Sequence, residues 1–389
     1  MLLAKESKRL LSIDILRGWV MVLMALDHCR EILFVHASAD PLDLSTTSAS
    51  LFLTRWVTHL CAPSFVFLSG ASAYLSTVKT GSANGNFLIS RGLWLILLEV
   101  TVVNFGIWFD IHFQVILLQV IAAIGAGLIL IGVIIKLHIK PVYTLLAGIL
   151  IIALSPLLAI NNPEATPSAI KYLFQPGLVQ LWGDHMLLVG YPPVPWLGII
   201  LVGYGSGFLF RRSQDLRKKY FLLTGFLLLL VFIFLRATSL YGDPSPWVTN
   251  YSPFYNFLSF INVSKYPPSL QFSLLMLGIM FLLLYVIERT TRQLSFLSVY
   301  GTVPLFYYLI HWYIIHPLLF VVLLIQGFRI DEFSFGFNMG RPAEQVSGLP
   351  LWGVYLVWIT VVIILFPVCK WYGRYKQKWL SQKRWLRYI

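Results

Sequence analysis

Asp14, Arg17, Asp27 and His28 crowd one apolar segment near the start of the chain, within residues 11–34. Such groups are costly in a water-poor setting, and a segment that keeps them generally uses them. At about 100° per residue, Arg17 and His28 fall within roughly 20° of one helix face and about 16 Å apart along the axis. Asp14, Met21 and Met24 lie close to the same stripe. One face would then carry a cation at one end and an imidazole, the natural general base near neutral pH, towards the other. A structural reading competes with this: an Asp14–Arg17 pair and a satisfied core histidine. The density of polar groups on one segment favours chemistry. Asp27 joins His28 among the catalytic candidates, with pairing to Arg30 or orientation of a neighbouring helix as its alternatives.

A second set lies in RWVTHLCAP, where Arg55 and His59 stand at i, i+4 on one face. A helix returning antiparallel to the first would bring them to the depth of His28, with Pro63 kinking or opening it just below. His59 is therefore a second candidate base, and Arg55 a candidate substrate contact. Glu99 and Asn104, in the apolar run 88–108, and Gln119 would hydrogen-bond a substrate or join helices. In YYLIHWYIIHP, His311 and His316 are five residues apart, about 140° around a helix, so they do not form a paired metal face. His311 shares a face with Tyr307 and lines the centre; His316 reads as interfacial. His112, His138 and His185 fall in loops and receive no functional role. The chain has no HExxH, no Cys/His zinc spacing, no Walker A loop and no EF-hand loop, so no metal is expected. GYGSG at 203–207 is not a nucleophile elbow; its glycines read as close helix packing. Cys29, Cys61 and Cys369 form no CxxC and no disulfide framework.

The elements that must position these groups follow from composition. Of 389 residues, 58% are hydrophobic and only 12% charged, with a net charge of +13. Soluble domains carry about twice that share of charge, so a soluble enzyme, a disordered chain and a nucleic-acid-binding domain are all disfavoured. The composition specifies an all-α polytopic membrane helix bundle. A spanning helix needs about 20 apolar residues, and about ten segments qualify: 11–34, 51–77, 88–108, 113–135, 142–160, 194–210, 220–238, 268–288, 302–326 and 351–369. Lys and Arg concentrate in alternate loops, in the N-terminal segment and in the tail 370–389, which places both termini in the cytoplasm. The opposite loops, 161–193, 239–267 and 327–350, are long and rich in Pro and aromatics. They would either cap an outward-facing site or serve as interfacial anchors. The chain reads as a single domain over 1–389, its basic tail at 370–389 lying on the membrane surface as a helix.

These residues also carry a family resemblance. RLLSIDILRGWVMVLMALDH, TRWVTHLCAPSFVFLSG, YPPVPWLGIILVGYGSG, KYPPSL, YGTVPLFYYLIHWYIIHP and the closing WLRYI, in this order, resemble the bacterial branch of the membrane acyltransferases related to heparan-alpha-glucosaminide N-acetyltransferase. The resemblance covers nearly the whole chain. It implies a multi-helix enzyme of the bacterial inner membrane. Such an enzyme takes an acyl group from cytoplasmic acetyl-CoA and delivers it to a carbohydrate or glycoconjugate hydroxyl or amine on the far side. In the lysosomal relative, an Asn ending the first span and a His in the following loop are the proposed catalytic groups. His28 occupies the Asn position, and His36, in His36–Ala37–Ser38, repeats the HAS sequence of that histidine. His59 falls where the relative has an acidic residue.

On this reading Asp14 and Arg17 serve the donor. Arg17 would meet the phosphates of acetyl-CoA, whose pantetheine arm runs up the stripe to His28. His28, with His59, would deprotonate the acceptor for direct attack, or a histidine would be transiently acetylated. Arg55 or backbone donors would stabilise the oxyanion. Arg55, His36, Glu99 and His311 are the substrate-contact candidates. Membrane lipid and a second copy of the chain are the other expected partners, and nucleic acid is not. A transporter or flippase is the competing class, because an intramembrane charge track and broken helices fit that too. A receptor or structural subunit is a third.

Overall fold

The computed structural model describes residues 10–36, 40–81, 84–157, 168–291, 293–343 and 345–389. In chain order the helices are α1 (Leu11–Leu33), α2 (Ala49–Thr58), α3 (Cys61–Thr80), α4 (Asn84–Leu98) and α5 (Asn104–Trp108). Strand β1 (Val115–Leu118) precedes α6 (Val120–Lys136), α7 (Pro141–Leu154) and α8 (Ser168–Phe174). Strands β2 (Gly177–Gln180) and β3 (Met186–Val189) precede α9 (Pro193–Gly205), α10 (Gln214–Thr238) and α11 (Pro253–Ile261). The chain closes with α12 (Leu270–Thr290), α13 (Ser298–Gly301), α14 (Pro304–Ile325) and α15 (Leu351–Trp379).

The protein is mostly helical, and among the described residues seven helical stretches are long and apolar enough to cross a membrane. They are Ala49–Thr80, Asn84–Trp108, Pro193–Arg211, Gln214–Thr238, Leu270–Thr290, Pro304–Ile325 and Leu351–Trp379. Three further expected spans differ from these. α1 has 23 residues but carries Asp14, Arg17, Asp27 and Arg30. α6 and α7 are apolar but only 17 and 14 residues long.

Several expected spans have different edges for local reasons. The segment 51–77 is broken between α2 and α3. Pro63 has no N–H to give the carbonyl of His59, so the helical ladder lapses there and Pro63 sits in the first turn of α3. The segment 113–135 opens as strand β1, paired in parallel with β3 (Val115 opposite Met186), and β2 completes the sheet antiparallel to β3. The final span continues through Pro367 to Trp379, so the first ten residues of the basic tail belong to α15. His316 is fully buried within the protein. The segment after α14 folds back over it, so that Nε2 meets the Met339 carbonyl at 2.9 Å and the ring stacks on Phe109.

Close backbone approach organises the bundle. A Cβ on Gly18 would overlap the Leu297 carbonyl, and one on Gly301 would overlap the Asp14 carbonyl, so α1 and α13 pack at backbone distance. Gly85 faces Gly132 and Gly92 faces Gly125 across α4 and α6. Small residues at such crossings let helices approach where no hydrophobic force between lipid-facing surfaces drives them together. α1 itself is almost wholly enclosed and forms the axis around which α3, α12, α13, α14 and α15 pack.

Candidate functional site

His28 lies on α1 against α14. Its Nδ1 is 2.6 Å from Nε2 of His311, and Nδ1 of His311 is 3.2 Å from the Tyr307 carbonyl one turn earlier on α14. A carbonyl only accepts, so His311 carries its proton on Nδ1. With both rings neutral, Nε2 of His311 then accepts from Nδ1–H of His28, and Nε2 of His28 keeps its lone pair. Trp312 stacks on His28 with ring centroids 4.0 Å apart, and Tyr308 meets it edge-on at 6.5 Å. Tyr307 and His311, like Tyr308 and Trp312, are four apart, so two adjacent rows of α14 hold the imidazole in one orientation.

Asp27, the residue before His28, uses both carboxylate oxygens. Oδ1 takes Arg30 at 3.1 Å, and Oδ2 takes Arg55 from α2. The pair reading of Asp27 and the helix-orienting reading are thus both realised: the carboxylate ties α2 to α1. Arg55 is thereby engaged in an ion pair beside the site.

Beyond this pair, at the C-terminal end of α1, lies a cavity of about 460 Å³. Arg30, Arg55 and His59 line it together with the loop Asn262–Tyr266. His59 is 1% exposed, packs edge-on against Phe272, and neither ring nitrogen has a hydrogen-bond partner among the described residues. The loop is held in place by Arg236, which is buried and donates to the carbonyls of Ser245, Ser259, Phe260 and Asn262 and to Oε1 of Gln271. Asp243 gathers the other side, accepting from Ser264 N–H and from the hydroxyls of Ser264 and Ser269.

A second cavity, of about 300 Å³, runs beside the first half of α1. Arg17, Met21 and Met24 line it from α1, Ser69, Ser72 and Ser76 from α3, Arg91 from α4 and Lys376 from α15. Tyr308, the edge-on neighbour of His28, closes its far end. Arg17 lies 3.6 Å from Asp14 and donates to the Ser72 hydroxyl and the Leu68 carbonyl. Past Arg17 and Ser72, a third pocket of about 340 Å³ is lined by Asp14, Lys79 and Arg211.

The structure therefore forms two pairs side by side at consecutive residues of α1, His28 with His311 and Asp27 with Arg55. Asp14 and Arg17 sit at the other end of the same helix, along a cavity that leads back towards His28. His59 opens onto the pocket at the near end, with no hydrogen bond or ring contact to His28. His36 is exposed on the turn after α1, against Phe34; Ala37 and Ser38 of the HAS sequence lie outside the described residues. Glu99 stands apart, at the start of a π-helical turn, where its Oε2 accepts the Ala122 N–H at the head of α6. Asn104 bonds both the Val115 carbonyl and the Leu117 N–H of β1, so this pair joins elements. Trp312, Tyr308, Lys265 and Arg236 carried no role in the sequence reading. The repeat of aromatics around His311 in YYLIHW was the signal that could have found the first two. Among the described residues no group of three His, Cys, Asp or Glu could hold a metal ion.

Comparison with known proteins gives one family. The model described as heparan-alpha-glucosaminide N-acetyltransferase, catalytic, matches residues 9–241. The match takes in Asp14, Arg17, Asp27, His28, Arg55 and His59, and it ends before Lys265 and His311. No curated protein matches the chain.

Proposed function

The chain belongs to the heparan-alpha-glucosaminide N-acetyltransferase catalytic family, and from that membership, which makes it a transmembrane acetyltransferase, we propose that it transfers an acetyl group from acetyl-CoA to a sugar hydroxyl or amine across the membrane. Counting α1, α6 and α7 as spans brings the total to the ten of an even-numbered bundle with both termini in the cytoplasm. The cavity beside Arg17 then opens towards the cytoplasm and the pocket beside His59 towards the far side.

The observation that carries this reading is that His28 meets Tyr308, which lines the cavity beside Arg17, and directly follows Asp27, whose ion-pair partner Arg55 lines the pocket beside His59. Cationic Arg17, Arg91 and Lys376 suit the phosphates of the donor. The apolar flank of Met21, Met24, Phe65 and Ile124 suits its thioester arm. Nε2 of His28 takes the proton of the acceptor hydroxyl or amine while that oxygen or nitrogen bonds to the acyl carbon. The C–S bond breaks, and His28 returns the proton to the departing thiolate. His311 holds the ring in the tautomer that leaves Nε2 basic, and Asp27 with its two arginines fixes the end of α1.

Calorimetry with acetyl-CoA on detergent-purified protein tests the donor half. Wild type is expected to bind in the micromolar range, and Arg17→Ala about tenfold more weakly, the scale of one lost charge-assisted contact. Absence of binding by folded wild type would count against acetyl-CoA and in favour of the transporter class.

A further inference from the structure

The pocket at the end of α1 is short of acceptors and rich in donors. Lys265 lines it at 6% exposure, and no carboxylate lies within 4.0 Å of its ammonium among the described residues. The ammonium lies 5.0 Å from the centre of the Tyr266 ring. Nε of Arg30 is buried without a partner among the described residues, although another of its nitrogens serves Asp27. His59 adds two unpartnered ring nitrogens. The acids on the pocket wall, Glu31 and Asp40, are exposed at the rim. At the floor, Arg30, Arg55 and Lys265 face the single carboxylate of Asp27, which leaves two positive charges that it does not compensate. Desolvation opposes ionisation of the Tyr266 phenol, yet Lys265 and Arg55 hold it below its ordinary value, as a positive local field requires.

A buried cation without an anion is costly, and so is a buried N–H without an acceptor. A ligand that brought an oxyanion would relieve both. We infer that the pocket recognises a carboxylate or other oxyanion carried by the acceptor, with Lys265 and Arg30 as the residues that select it. The inference rests on the reading of this pocket as the acceptor side, and it deepens that reading: the acceptor is an acidic sugar, not a neutral one. Arg236 and Asp243 serve the same selection indirectly, because they fix the loop that presents Lys265.

The test uses binding alone, so it is independent of donor and of turnover. Glucuronate, glucose and inorganic phosphate are titrated separately into detergent-purified full-length protein. Glucuronate is expected to bind at least about tenfold more tightly than glucose, to be displaced by phosphate, and to weaken as salt rises. Lys265→Met is expected to abolish the preference and Lys265→Arg to retain most of it. Equal binding of glucuronate and glucose by wild type would overturn the inference without recourse to any variant. An undiminished preference in folded Lys265→Met would do the same. Phosphate binding without glucuronate binding would also overturn it, by assigning the pocket to a free anion. Failure of the acetyl-CoA experiment alongside a glucuronate preference would overturn the transferase reading and leave the acidic ligand standing.

Discussion

Nδ1 of His28 and Nε2 of His311 lie 2.6 Å apart, although 283 residues separate them along the chain. The contact joins α1 to α14 at the one place where both helices carry an imidazole. The Tyr307 carbonyl at the far end determines the direction of the hydrogen bonds along the pair. The result is a base with a defined free nitrogen, obtained without a carboxylate partner.

Removing the far ring should therefore act on the near one. His311→Ala is expected to lower kcat by about 10²-fold, the lower end of what a positioned general base contributes. The donor KM should change little. His311→Gln, whose amide oxygen can accept from His28, should recover part of the loss, and the double variant with His28→Ala should be no worse than His28→Ala alone. Steady-state kinetics decides it: additive losses in the double variant would show that the two rings act separately.

The Asp27 carboxylate is shared by Arg30 and Arg55, each pair largely buried. Asp27→Asn keeps the shape but leaves two cations facing each other. Breaking a buried pair from one side costs about 3–5 kcal/mol. A large drop in thermal stability in detergent is expected, with Arg55→Met less harmful because it restores charge balance with Arg30. Melting curves that rank Arg55→Met below Asp27→Asn would contradict this account.

Gly18 and Gly301 mark where α1 and α13 touch through their backbones. Gly18→Ala and Gly301→Ala each place a methyl into a carbonyl of the other element, with no flexible side chain to yield. Both are expected to reduce the yield of folded protein sharply, as seen by size-exclusion chromatography. Gly81→Ala is not a fair control, because Gly81 has φ +65°; Gly373→Ala, with nothing closer than 3.8 Å, is.

Arg236 makes its five contacts with the planar fork that lysine lacks. Arg236→Lys should loosen the loop that carries Asn262–Tyr266 while leaving the donor cavity untouched. The expected signature is an acceptor KM raised about tenfold or more with unchanged acetyl-CoA affinity. A variant that loses donor binding equally would show a global defect rather than a local one.

Some of this was legible in the chain and some was not, for identifiable reasons. An apolar composition with sparse charge is a property of the residues alone, so the helical membrane class needed no coordinates. The stripe Arg17–Met21–Met24 follows from the period of an α-helix, and those three side chains do share a cavity wall. The Asp14–Arg17 and Asp27–Arg30 pairs are three residues apart and so are also local. The break before Pro63 was half-legible: the missing N–H was evident, but the place where the ladder would lapse was not. The strand at Val115 escaped because its partner, β3, begins 71 residues later at Met186 and pairing is not a local property. The same holds for the site. His28, His311, Lys265 and Arg55 come from four distant segments, and helix periodicity says nothing about which faces of different helices meet. Packing decides that, through the glycine contacts that set α1 against its neighbours and the buried arginine that folds the loop over its end.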